Sequence, residues 1–296
     1  MRCERVYPNL LKTLALGTLA ALFMWSYWPQ FLDLWSIWRR SDEYSCGLLV
    51  PFLAVYVLYA RRQEITKVPL RPCIYGLFAL IAVQALRYFG LFFMYSSAER
   101  LSVPLSIASL TLLLFGWRLL AKILPVLLFL FLMLPLPQSV HRNVMLPLQN
   151  LATISAVFCL EIMGYAVIRE GNIIHLNDTT VAVAEACNGL RMVTAFFVVI
   201  TLVVLLVRRK WWEKMILLIS NLPIALLCNI LRLTITAIAF TIVTGEEWEE
   251  IFHDFGGYLM MPLALAAVIL ELWLLKKLTT VGEKVEQKII VQRAYR

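Results

Sequence analysis

Long apolar runs, cut by short polar clusters, dominate the chain from end to end. Eight of them read as bilayer crossings: about 11–29, 46–60, 73–94, 102–116, 123–137, 191–207, 212–240 and 258–275. A crossing takes about 20 residues at roughly 1.5 Å rise each. Two segments break the pattern. Residues 143–164 place Val144, Leu148, Leu151 and Ile154 at helical spacing, but also carry Pro147, Gln149, Asn150 and Glu161. That mixture predicts an interfacial or re-entrant helix on the outer face. Residues 172–176 and 179–184 then read as two short strands joined at Asn177-Asp178, a pair suited to a hairpin turn. The expected fold is an all-α polytopic membrane protein with about eight transmembrane helices, an outer-face interfacial helix and a short β-hairpin.

Composition narrows the class. Of 296 residues, 61% are hydrophobic and 16% charged, which excludes an ordinary soluble domain and a disordered chain alike. Arg2, Arg5 and Lys12 ahead of an apolar run resemble a signal peptide, but the run ends in bulky aromatics without a small-residue cleavage site. It is read as a retained first span. Residues 1–275 form the membrane domain, and 276–296 a basic cytoplasmic tail too short for a core of its own.

The charges set an orientation. With the N-terminus in the cytoplasm, cytoplasmic segments hold 19 of the 27 Lys and Arg residues. They form short clusters such as Arg61-Arg62 and Arg208-Arg209-Lys210, between spans, as the positive-inside rule requires. The net charge of +8 therefore reflects a lipid bilayer as partner and not nucleic acid. The acids gather on the opposite side, from Asp42 and Glu43 to Glu246, Glu247, Glu249 and Glu250. The expected location is the cell (inner or cytoplasmic) membrane, with both termini cytoplasmic.

Six cysteines stand singly, with no zinc or disulfide spacing. Cys73, Cys159 and Cys228 read as small apolar fillers. Cys187 differs, because Glu185, Asn188 and Arg191 surround it just before a span. Arg191 to Arg208 is 17 residues, roughly 26 Å of helix, so Cys187 falls at the outer boundary. Lys214 to Arg232 is 18 residues, roughly 27 Å, so Arg232 reaches the same boundary on the next span. His253 lies five residues outside the last span. Spacing alone does not show that the three meet.

Such a set suits acyl transfer through a thioester. The thiolate is the nucleophile, favoured by a helix N-terminus or a neighbouring cation. Histidine moves a proton near neutral pH, and an arginine holds the substrate carbonyl or its oxyanion. Each residue also has a plainer reading. Arg232 and Arg87 would snorkel from helix ends, His253 would sit on the polar face of a surface helix, and His141 and His175 would lie in a loop or at a strand edge. Glu250-Ile251-Phe252-His253 matches one half of a di-iron motif, but the second half is missing. Neither a metal nor another cofactor is expected. A transporter or an assembly scaffold is the competing class; the spans lack the paired broken helices and inverted halves of many transporters.

"VAEACNGLR", then "NILR" on the next span and "HDFGGY" before the last, resembles the exosortase/archaeosortase family. So do "YSCGLLVPFLAVYVLYARR", "LPLPQSV" and "REGNIIHL", in order, across about residues 40–275. The resemblance implies a membrane cysteine transpeptidase that recognises a C-terminal sorting signal made of a short motif, a transmembrane helix and a basic tail. It implies cleavage on the outer face and transfer of the acyl group to an acceptor not identified by the sequence. By position it implies Cys187 as nucleophile, Arg232 as the substrate-positioning or oxyanion group and His253 as acid/base. Glu185, Asn188, Arg191 and Asn229 are the candidate substrate contacts beside them. The chain differs from the family pattern at Asn188, usually a small hydroxyl, and at Cys46, often histidine. Some members also carry a large soluble C-terminal extension, where this sequence runs about 20 residues past the last span.

Overall fold

The computed structural model describes residues 7–41, 43–171, 173–176, 179–182, 189–207, 209–242, 262 and 265–277. Its described part is mostly helical, and the chain divides into two compact units, residues 1–54 with 61–135 and residues 55–60 with 136–296.

The first unit begins with α1 (Tyr7–Ser26) and α2 (Trp28–Arg40). The expected first span, 11–29, therefore breaks at Tyr27, and most of the helix that follows, residues 30–40, lies outside any expected span. Pro29 opens α2, where its missing N–H costs nothing. Tyr27 is buried, and its hydroxyl lies 2.6 Å from Ser106 Oγ. Gln84 Nε2 donates to the same hydroxyl at 3.2 Å. A 3-10 turn (Ser45–Leu48) leads into α3 (Leu49–Ala60), followed by the short α4 (Arg62–Ile65). Helices α5 (Tyr75–Phe92) and α6 (Ser96–Phe115) pair closely, and α7 (Trp117–Leu130) continues into a 3-10 turn (Phe131–Met133). Trp38 Nε1 donates to the Met133 carbonyl at 3.0 Å, tying α2 to that turn.

Arg87 does not simply run out to water. It donates to Ser26 Oγ at 2.8 Å and stacks 4.3 Å from the Tyr27 ring centre, so it clamps the α1–α2 junction. On α2, Asp33 accepts from Arg100 Nε of α6 at 2.7 Å.

In the second unit, α8 (Gln138–Ile162) covers the segment expected to lie at the interface. Residues 142–162 are long and apolar enough to cross a membrane. Ala152, Ala156 and Leu160, spaced by four, are buried. Ala156 and Leu160 join Leu233, Ala237, Ile174 and Leu176 in one core cluster. The second half of α8 buries one face, with Ala152, Thr153, Ala156 and Leu160, and leaves Leu151, Ile154, Phe158 and Ile162 exposed on the other. The expected hairpin exists, but it is part of a three-stranded antiparallel sheet: β1 (Val167–Glu170), β2 (Ile173–Leu176) and β3 (Thr179–Ala182). Leu176 pairs with Thr179, which brackets the expected turn pair at 177–178. The additional strand, β1, pairs Glu170 with Ile173 across Gly171, whose φ of +62° suits a two-residue hairpin connection. His175 is on the central strand, half-buried, with Nε2 3.7 Å from Glu170 Oε2, and not at a strand edge.

Helices α9 (Gly189–Leu206), α10 (Trp211–Ile242) and α11 (265–277) follow. Among the described residues, four helical segments are long and apolar enough to cross a membrane: Tyr75–Phe92, Ser96–Phe115, Arg142–Ile162 and Trp211–Thr241. Leu14–Ser26, Ser45–Ala60 and Val193–Leu206 are apolar but shorter. Three of the four long helices fall on expected spans, 73–94, 102–116 and 212–240, and the fourth, Arg142–Ile162, falls on the segment expected to lie at the interface; the expected count of eight is therefore not reproduced among the described residues.

Candidate active site

The longest helix, α10, is built on one buried stripe. Glu213, Leu217, Asn221, Ala225, Cys228, Arg232 and Thr236 follow one another at spacings of four or three and are all buried. Ile216, Ile219, Leu222, Leu227, Leu231 and Ile235, off that stripe, are exposed. This is the periodicity of a helix with one face on protein and one on lipid.

Arg232 is 6% exposed. A snorkelling arginine would keep its guanidinium in open water; this one is buried in the protein, as ionisable groups within spans commonly are. Three residues before it, Asn229 is also buried, and its Oδ1 has no hydrogen-bond partner among the described residues. Near the other end of the stripe, Glu213 is buried beside Arg209, with 3.5 Å between Oε2 and Nη1.

Packing fixes the level of Arg232 relative to α9. Phe196 clusters with Ala225 and Cys228, while Ile200 and Val204 cluster with Leu217 and with Val268 of α11. Earlier residues of α9 thus meet later residues of α10, so the two helices are antiparallel. Arg232 is four residues beyond Cys228, roughly 6 Å along the axis. The same rise beyond Phe196 leads to the first turn of α9, which starts at Gly189. The backbone of Arg232 and the N-terminal turn of α9 therefore stand at about one level along the helix pair. The free amides of a helix N-terminus favour negative charge there.

Of the expected site residues, Arg232 and Asn229 share the buried face of α10. Arg191 falls in the first turn of α9, with its side chain outside the described residues. Cys187, Glu185, Asn188 and His253 lie outside the described residues. Asn221 was not singled out by the sequence, although an amide inside the apolar run 215–227 is the signal that marks it.

The family model for transmembrane exosortases matches residues 38–270, well over half of the chain. The chain belongs to the transmembrane exosortase family. No curated protein and no solved structure matches it. The matched stretch of this exosortase includes positions 187, 232 and 253 as well as the α9–α10 pair. Apolar helices of spanning length and membership of a transmembrane family make it a multi-pass membrane protein.

Proposed function

We propose that this exosortase is a membrane cysteine transpeptidase acting on C-terminal sorting signals. The observation that carries the reading is the buried Arg232 at the level of the first turn of α9, a helix that starts two residues after Cys187 in the chain. A thiolate before a helix N-terminus is favoured by the unpaired amides and by a neighbouring cation.

In the proposed reaction the Cys187 thiolate attacks the scissile carbonyl carbon. Arg232 hydrogen-bonds the oxyanion that forms, a role in which a fixed donor is worth about 10²–10³ in rate. The C–N bond then breaks, His253 gives its proton to the departing amine, and the acyl group remains on sulfur as a thioester. An acceptor amine attacks the thioester, His253 takes its proton, and the thiolate is released. Glu185, Asn188, Arg191 and Asn229 contact the substrate around the cleaved bond. The substrate's helix lies in the bilayer with its basic tail in the cytoplasm, and the site faces outward. Anchoring of this kind orients the peptide before any bond changes.

The test is processing of a co-expressed membrane protein that ends in a short motif, an apolar span and a cluster of arginines. Wild type cleaves it and Cys187→Ala does not; full processing by Cys187→Ala would overturn the nucleophile assignment. Mass spectrometry of the new C-terminus separates transfer, which adds the acceptor's mass, from hydrolysis, which leaves a free carboxylate.

A further inference from the structure

A cavity of about 320 Å³ lies between α9, α10 and α11. Phe196 and Ile200 from α9, Ile224 from α10, and Leu265 and Val268 from α11 give it hydrocarbon walls. Among the described lining residues, one is polar. Asn221 is 0% exposed, and neither its Nδ2 nor its Oδ1 has a hydrogen-bond partner among the described residues. An unpaired buried amide is costly, and an aliphatic side chain of similar size would avoid that cost.

Its position is informative. Asn221 is seven residues, roughly 10 Å, along α10 from Lys214, and eleven residues, roughly 16 Å, from Arg232 on the same buried stripe. One turn beyond Val268, Glu271 Oε2 is likewise buried without a hydrogen-bond partner among the described residues. An occupant that satisfies Asn221 must bring both a donor and an acceptor to this depth. A lipid acyl chain brings neither. A water molecule needs two to four polar partners, and these walls are almost wholly apolar. A membrane-spanning helix with a hydroxyl or amide side chain brings both, and its apolar neighbours fill the remaining space.

We infer that this cavity receives one polar side chain of the substrate's membrane-spanning segment, a serine, threonine, asparagine or glutamine hydrogen-bonded to Asn221. The inference rests on the transpeptidase reading. It makes Asn221 a specificity-determining residue, for a polar group about 11 helical residues inward of the position that meets Arg232.

The test uses the full chain in membranes and a reporter: a secreted domain fused to a short motif, an apolar span with one such polar residue, and an arginine cluster. A photo-crosslinking amino acid replaces Ile224 in the Cys187→Ala background. The expected result is a crosslink to the reporter's span. Asn221→Leu raises the reporter level for half-maximal cleavage about tenfold, with turnover at saturation held and a thermal midpoint equal to or above that of the wild type. Asn221→Gln restores part of the loss. Replacing the reporter's polar residue by leucine causes the same loss, with no further loss on combination with Asn221→Leu. Crosslinks to phospholipid alone, or unchanged half-saturation in Asn221→Leu, overturn the inference. A crosslinked span with no cleavage by the wild type overturns the transpeptidase reading and leaves the docking site standing. Neither crosslink nor cleavage overturns both.

Discussion

Phe196 on α9 and Cys228 on α10 share one buried cluster. That contact holds the two helices in the register that brings the first turn of α9 level with Arg232. Phe196→Ala opens a cavity there, of a kind that costs about 3–5 kcal/mol in soluble cores. The expected outcome is a lower thermal midpoint in detergent and reduced processing. Cys228→Ala removes only the sulfur and keeps processing, in contrast to Cys187→Ala; measuring both variants on one substrate separates filler from nucleophile.

Arg232 is the second test. Leucine in its place removes the proposed oxyanion donor, and substrate cleavage falls about 10²–10³-fold. Lysine keeps the charge but not the planar fork, so Arg232→Lys recovers only part of the rate. Single-turnover rates on a fixed amount of substrate check the order wild type, lysine, leucine. Equal rates in all three would remove Arg232 from the chemistry.

The buried Tyr27–Ser106 contact of 2.6 Å concerns stability instead. Tyr27→Phe removes a hydroxyl that also accepts from Gln84, leaving buried polar groups short of a partner. The expected loss is about 1–3 kcal/mol, read as a lower unfolding midpoint in detergent, with cleavage per folded molecule unchanged.

Gly116 joins α6 to α7 at φ +85°, and a Cβ there would lie 1.8 Å from the Arg71 carbonyl oxygen. Gly116→Ala therefore meets a backbone atom and an unfavourable φ together. The expected outcome is a strongly reduced yield of folded protein, measured by size-exclusion chromatography of the solubilised chain.

Much of this was legible in the chain. Run length and charge clusters are local properties, so α5, α6, α9 and α10 fall close to their expected bounds. The pairing of Leu176 with Thr179 follows from two short strands around Asn177-Asp178. Other features were not local. The break at Tyr27 lies inside a continuous aromatic-rich stretch, and Tyr27 becomes a helix boundary through Ser106, Gln84 and Arg87, all distant in sequence. Strand β1 is four residues long and forms by pairing with β2. Residues 138–162 mix polar and apolar positions, and contact with Leu233 and Ala237 decides which face is buried.

By itself the sequence determined a many-helix membrane protein with short basic clusters between its apolar runs, and the motifs that resemble the exosortase family. Those follow from transfer of side chains between water and lipid and from short motifs along the chain. Tertiary structure alone decided that Arg232 is buried, that it stands level with the start of α9, and that Asn221 faces an apolar cavity with no partner among the described residues. Each depends on how one helix packs against another, and hydropathy carries no record of that register.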